Sequence, residues 1–328
     1  MKLTRRSLGA LVAVSLGGLA LAASAQTKWD LPSAYPASNL HTQNLTQFAQ
    51  DVERETGGKL KIQIHDNASL FKAPEIKRAV QGGQAQAGEI LLVNLQNEWQ
   101  LWGLDGIPFL TANFADAQKL YQASKATIEK KLAEQGMVLL YSVAWPPQGI
   151  YTKMQINSGA DLKGIKWRAY SPSTARIAEL VGAQPVTVQQ AELSQAMATG
   201  VVESYMSSGS TGYDTKTYEH LKFFADVQAW QPKNAVIAYK LAFESLDAAT
   251  QEGLLKAAAE AEKRGWADSE QKTGEYLDLL RQNGMTVYAP SDALKADMHK
   301  VGDVMLEEWL EKSGPEGKAV VDAYRAGK

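Results

Sequence analysis

The 328-residue chain carries 34 basic and 36 acidic residues, no cysteine, and 45% hydrophobic residues. A formal net charge of −2 argues against nucleic acid or an anionic membrane surface as partner, since both select basic proteins. Without cysteine there are no disulfides and no thiol chemistry, so stability must come from a core that a chain of this length can readily bury.

The amino terminus sets the compartment. Met1 to Ala25 begins with Lys2, Arg5 and Arg6, continues as an apolar run from Leu8 to Ala23, and ends in Ala23-Ser24-Ala25. That is the pattern of a secretory signal peptide, too short in its apolar part for a membrane span. Thr4-Arg5-Arg6 also satisfies a twin-arginine pattern, so either export route fits. Cleavage would leave 303 residues with 31 basic and 36 acidic side chains, a net charge of −5. The mature protein is therefore expected to be soluble, mildly acidic and periplasmic.

Leu40 to Thr56 has helical spacing through Leu45, Phe48 and Val52, and Lys59 to His65 alternates polar and apolar as a half-buried strand does. Ala115 to Glu134 reads as a helix and Val138 to Ala144 as a strand. Ile165 to Tyr170, Pro185 to Val188, Phe223 to Val227, Val236 to Leu241 and Met285 to Tyr288 are further strand-like runs. Thr174 to Val181 and Gln189 to Thr199 are helical. Alternation of this kind predicts α/β layering with largely parallel sheets, and the length suggests two lobes. Ser245 to Asn283 breaks the rhythm. It has no proline and a sustained apolar stripe, and as one helix it would be about 55 Å long, enough to span both lobes. Gly253, Gly265 and Gly274 each weaken such a helix by about 1 kcal/mol, so a kink is the alternative.

Catalytic equipment is not evident. His41, His65, His220 and His299 are scattered, none in a metal-ligand spacing, and no nucleophile elbow is present. Gly209-Ser210-Thr211-Gly212 lacks the lysine and glycine spacing of a phosphate loop and reads as a polar loop. No metal or cofactor is implied.

Attention falls on Arg168, a permanent charge in the apolar and aromatic run Ile165, Trp167, Tyr170, just before Ser171-Pro172 opens a helix. From local sequence it either pairs with an acid such as Glu179 or Asp161, or holds something else.

Three stretches, Asp161-Leu162-Lys163-Gly164-Ile165-Lys166-Trp167-Arg168, Gly182-Ala183-Gln184-Pro185-Val186 and Ala196-Met197-Ala198-Thr199-Gly200-Val201-Val202-Glu203, resemble the core of a transport-receptor family. These are the extracytoplasmic solute-binding proteins of tripartite ATP-independent periplasmic (TRAP) transporters, of the dicarboxylate-binding type. Glu55 to Leu60 and Ile107-Pro108-Phe109-Leu110 match the family's first half in order and distance. The resemblance covers nearly all of the mature chain. It implies an α/β, two-lobed periplasmic-binding-protein architecture with a ligand cleft between the lobes and a long helix spanning both. Lobe I would comprise residues 26–148 plus about 236–270, and lobe II residues 149–235 plus about 271–328. It also implies a receptor and not an enzyme, with a small-molecule carboxylate and the small and large TRAP membrane subunits as partners, and the chain is expected to be a monomer.

In that family the arginine at the position of Arg168 forms a bidentate pair with the ligand carboxylate. A planar, always-charged guanidinium suits that role. Two departures bear on the ligand. Where many members have an asparagine that contacts ligand this chain has Ser207, with Ser208 beside it, and where many have a second arginine it has Tyr151. Trp145, Tyr170, Tyr213 and Trp230 fall near the implied cleft, with Asn39 a further polar candidate. One guanidinium among four aromatics points to an aromatic or apolar 2-oxo or 2-hydroxy monocarboxylate. A C4-dicarboxylate or sugar acid is the alternative ligand, and a periplasmic enzyme on the same scaffold the alternative class. Hinges are expected near Pro146–Gly149 and Trp230–Val236.

Overall fold

The structure, a computed structural model, describes residues 26–327; the expected signal peptide lies outside the described residues. The first lobe begins with β1 (Thr27–Pro32), α1 (Leu40–Glu55) and β2 (Leu60–His65). β1 and β2 pair in parallel with Trp29 opposite Ile62. Leu60 and Ile62 face inward and Lys61 and Gln63 outward, as their alternation requires. Asn39 caps α1 by accepting the His41 backbone N–H at 2.9 Å. The helix buries Leu45, Phe48 and Val52.

α2 (Ala73–Gln81) and β3 (Ala87–Leu91) follow, then α3 (Phe114–Glu134) and β4 (Met137–Ala144). The chain next crosses through Trp145-Pro146-Pro147 into β5 (Gln148–Thr152). The second lobe continues with β6 (Lys166–Ala169), α4 (Pro172–Leu180), β7 (Gln184–Thr187), α5 (Leu193–Ala198), β8 (Ser204–Ser208), α6 (Gly209–Asp214) and β9 (Phe223–Ala225). β10 (Lys233–Tyr239) returns to the first lobe, followed by α7 (Lys240–Glu244), α8 (Ala248–Gln282), β11 (Thr286–Tyr288) and α9 (Asp292–Ala326).

The first lobe holds a three-stranded sheet ordered β3-β10-β4, and the second a six-stranded sheet ordered β11-β9-β5-β8-β6-β7. The first is antiparallel throughout and the second mixed, which corrects the expectation of largely parallel pairing. β10 runs antiparallel to β3 and β4, and β5 antiparallel to β8 and β9. These are the two strands that carry the chain between lobes. They enter their sheets from the cleft side, not through a crossover helix, so the parallel rule for βαβ units does not bind them.

α8 is one uninterrupted helix of 35 residues. Its first half packs with Leu45, Phe48, Val52 and Val143 through Leu254, Ala258 and Ala261. Its far end places Leu280 in the second-lobe cluster with Tyr151 and Phe224. Gly253 and Gly265 do not kink it. A Cβ at Gly253 would lie 2.9 Å from the Glu55 carbonyl, and one at Gly265 2.5 Å from Val143. Glycine there lets α8 lie directly on its neighbours. α9 bends at Gly314, whose φ of 61° and ψ of −150° are non-helical, just before Pro315. Before the bend, Leu294, Met298 and Val301 pack in the second lobe. Beyond it, Val320, Val321 and Tyr324 pack on Leu101, Leu104 and Leu120.

Candidate functional site

The two crossover strands run side by side where the lobes meet. The Trp145 N–H donates to the Pro232 carbonyl at 2.8 Å, and the Gln148 N–H to that of Trp230 at 3.0 Å. Above this crossover lies a cavity lined from the first lobe by Ala34, Tyr35, Leu91 and Asn94, and from the second by Gln148, Arg168, Tyr170, Gln190 and Ser207. It is continuous with a wider cleft flanked by Lys77, Glu98, Ser171 and Pro172.

Arg168 is delivered by β6 and is only 2% exposed. Its Nε donates to the Val188 carbonyl at 2.9 Å and an Nη reaches Gln190 Oε1 at 3.5 Å. Its guanidinium stands 5.0 Å from the Tyr170 ring centroid and 5.7 Å from that of Tyr205. Among the described residues no carboxylate lies within 4.0 Å of it. The acids that could have neutralised it are engaged elsewhere. Glu179 pairs with Arg176, and Asp161 accepts the backbone N–H groups of Asn157 and Ser158. Burial pulls the guanidinium's pKa down from its usual value, yet arginine keeps its proton in proteins. The cavity thus holds a fixed positive charge whose desolvation the protein itself does not offset with an anion.

The polarity of the remaining wall is set by neighbours of fixed hydrogen-bonding sense. Arginine only donates, so Gln190 turns Oε1 toward Arg168 and leaves Nε2, a donor, buried without a partner. The Trp145 indole N–H donates to Asn234 Oδ1 at 2.9 Å, and the Tyr35 hydroxyl donates to the same oxygen at 3.4 Å. The Gln148 amide nitrogen donates to the Pro146 carbonyl at 2.9 Å, which turns Gln148 Oε1 to accept the Tyr170 hydroxyl at 3.3 Å. Asn94 Oδ1 is buried and unpartnered. Donors therefore gather at the Arg168 end, and acceptors on the Tyr35 and Asn94 side.

Behind this wall Glu89 is 3% exposed and accepts the Ser33 hydroxyl at 2.6 Å. Burial pushes its carboxyl up to about 7, partly countered by Ser33 and Asn234. Asn234 Nδ2 acts on it from outside full hydrogen-bond geometry. His41 Nδ1 lies 3.9 Å from Glu89, and burial lowers that imidazole to about 3.

Of the residues singled out from sequence, Arg168, Ser207, Trp145 and Tyr170 line the cavity. Four others are placed differently. Trp230 is buried in the second-lobe core with its indole beside Tyr170. Tyr213 packs against Tyr218 and Tyr276, with centroids 6.5 and 6.2 Å away. The Ser208 hydroxyl caps α6, accepting the Thr211 N–H at 3.3 Å. Asn39 reaches across the lobes, donating to Asp214 Oδ2 at 2.6 Å. Tyr151 also lies in the core, donating its hydroxyl to the Ser208 carbonyl at 2.8 Å. Sequence reasoning missed Tyr35, Asn94, Gln148, Gln190 and Asn234. Gln148 and Asn234 lie inside the two hinge segments already marked, so position was their signal. Tyr35, Asn94 and Gln190 carried none.

Two lobes joined by paired crossover strands, with a cavity between them into which a buried guanidinium projects, have the architecture of a two-lobed solute-binding protein. The model of bacterial extracellular solute-binding protein family 7 (DctP) matches residues 33–313, and the chain belongs to that family, the solute receptors of TRAP transport. The C4-dicarboxylate-binding periplasmic protein DctP of Rhodobacter capsulatus is 26% identical over 345 residues, covering 99% of each chain. Solved structures are nearer. DctP6 of Bordetella pertussis, an extracytoplasmic solute receptor binding pyroglutamic acid, is 63% identical with a TM-score of 0.91, over 92% of this chain and 100% of that one. A marine-metagenome TRAP solute-binding protein specific for pyroglutamate, in complex with the co-purified ligand, is 44% identical with a TM-score of 0.90, over 92% and 99%.

Proposed function

We propose that this chain is a periplasmic receptor for pyroglutamate, or a closely related ring amide bearing one carboxylate, which it delivers to the small and large subunits of a TRAP permease. The observation that carries the reading is Arg168, buried in the interlobe cavity without a carboxylate partner among the described residues. A ligand carboxylate would supply the missing anion through two charge-assisted bonds. Gln190 Nε2 and the Ser207 hydroxyl would donate to the same carboxylate or to the lactam carbonyl, while Tyr35 and Asn94 face the ring. The similar receptors that bind pyroglutamate support the choice of ligand.

A second carboxylate at the acceptor-rich side would be desolvated without a donor, at several kcal/mol. This disfavours C4-dicarboxylates. An aromatic body is disfavoured as well, because Trp230 and Tyr213 pack in the cores and not in the cavity wall.

The export signal at 1–25 supports the periplasmic location, with the chain acting as a monomer that returns its ligand unchanged. Residues 26–148 with about 236–270 form lobe I, and 149–235 with about 271–328 form lobe II, the end of α9 reaching back to α3. The lobes close by rotation about Pro146–Gly149 and Trp230–Val236, and Asn39 latches onto Asp214 across the closed cleft.

Calorimetry on ligand-stripped protein tests the ligand. Pyroglutamate should bind at about micromolar Kd or tighter, ahead of proline, glutamate, succinate, galacturonate and phenyllactate. Tightest binding by a dicarboxylate, a sugar acid or an aromatic acid would overturn the assignment.

A further inference from the structure

We propose that Tyr35 determines specificity by presenting a hydrogen-bond acceptor, and not a donor, to the ligand's ring N–H. The inference rests on the pyroglutamate reading and extends it to a residue and an atom.

A phenol has one hydrogen and two lone pairs. The destination of the Tyr35 hydrogen is decided by Asn234, and the orientation of Asn234 by Trp145. An indole N–H can only donate, so the Asn234 amide atom 2.9 Å from Trp145 Nε1 is the oxygen. That oxygen also receives the Tyr35 hydroxyl at 3.4 Å. The Tyr35 ring is held against Trp145 at a centroid distance of 4.9 Å and an interplanar angle of 66°, which keeps the phenol from swinging to another partner. Burial holds the phenol well above its usual pKa, so the hydrogen stays in place. What Tyr35 offers the cavity it lines is a lone pair.

Tyr170 is arranged similarly, its hydrogen committed to Gln148 Oε1. The Trp230 indole N–H lies beside the Tyr170 oxygen without completing a hydrogen bond of full geometry, however, so a protein donor already faces that oxygen and Tyr35 is the freer acceptor. A ring N–H completes this geometry. A ring oxygen in the same place would set lone pair against lone pair in a buried site. No rotation of the hydroxyl relieves that clash without stripping Asn234 of a donor. The carboxylate end, governed by Arg168, is identical for both ligands.

The test compares two carboxylates differing at one atom: pyroglutamate and its lactone isostere, 5-oxotetrahydrofuran-2-carboxylate. Calorimetry on ligand-stripped wild type should show the lactam bound at least about 30-fold more tightly, the scale of one buried acceptor left without its donor. Tyr35→Phe should weaken lactam binding while leaving the lactone nearly unchanged, so that the preference falls to within about threefold, whereas Tyr170→Phe should preserve it. Asn234→Ala, which frees the Tyr35 hydrogen to turn into the cavity, should improve the lactone relative to the lactam and serves if Tyr35→Phe does not fold. Equal binding of the two compounds by wild type, or a preference that survives Tyr35→Phe and Asn234→Ala but collapses in Asn94→Ala, overturns the role of Tyr35 while the pyroglutamate reading stands. Failure of wild type to bind pyroglutamate at all removes that reading, and this inference with it.

Discussion

The guanidinium of Arg168 lies 5.0 Å from the ring centroid of Tyr170, stacked on an aromatic face where a soluble protein would ordinarily place a carboxylate. The rings of Tyr170 and Tyr205 offer about 0.5–2 kcal/mol each by cation–π attraction, less than the several kcal/mol that desolvating the charge costs. The proposed ligand carboxylate would offset that deficit. Arg168→Ala should weaken binding of the cognate acid by at least about 100-fold, and Arg168→Lys by a smaller but clear factor, since the charge survives and the fork does not. Calorimetry measures both; binding by Arg168→Ala within threefold of wild type would dismiss the anchor.

Supplying the countercharge internally should have the opposite effect on the empty protein. Gln190 Oε1 already lies 3.5 Å from an Arg168 Nη. Gln190→Glu places a carboxylate there, which should raise the melting temperature of the ligand-free protein and lower affinity for the carboxylate ligand by about 100-fold through self-pairing. Unchanged affinity in Gln190→Glu would mean that the ligand does not use the open side of Arg168.

Glu89 gives the stability a pH dependence of known sign. Its folded carboxyl is pushed up to about 7 from an ordinary 4.5. The folded state therefore holds the proton more tightly, and this contribution is fully present below about 4.5 and lost as pH rises through about 7. His41, lowered to about 3, acts oppositely on the acid side, losing stability as pH falls below its usual 6.5. Glu89→Gln should consequently gain melting temperature over wild type at pH 8 and gain little at pH 4. A gain independent of pH would assign the effect to packing.

The glycines of α8 should separate by environment. Nothing lies within 4 Å of a Cβ at Gly274, so Gly274→Ala should stabilise by up to about 1 kcal/mol through helix propensity. At Gly265 the added carbon would sit 2.5 Å from Val143 and 2.7 Å from Asn44 Nδ2, so Gly265→Ala should destabilise by about 1–3 kcal/mol. Urea unfolding of the two variants should shift the midpoint in opposite directions.

What the amino-acid order determined by itself were the features carried by local periodicity and local chemistry. The 3.6-residue spacing of Leu45, Phe48 and Val52, the alternation in Leu60 to Ile64, and the proline-free stripe of α8 each name their element because burial of one face selects it. Arg168 was legible because a permanent charge in an apolar run demands an explanation, and the resemblance gave it one. The antiparallel course of β5 and β10 was not legible, since strand direction depends on which partner a chain meets after crossing between lobes. The division of the aromatic residues was likewise decided by the fold: Trp145 and Tyr170 reach the cavity, while Trp230 and Tyr213 enter cores, although all four sit at similar strand or helix ends. Tyr35 and Asn234 are 199 residues apart and share a hydrogen bond. Only the tertiary structure could bring them together, and with them the acceptor side of the cavity, because the direction of a hydroxyl hydrogen is set by neighbours in space and not by neighbours in the chain.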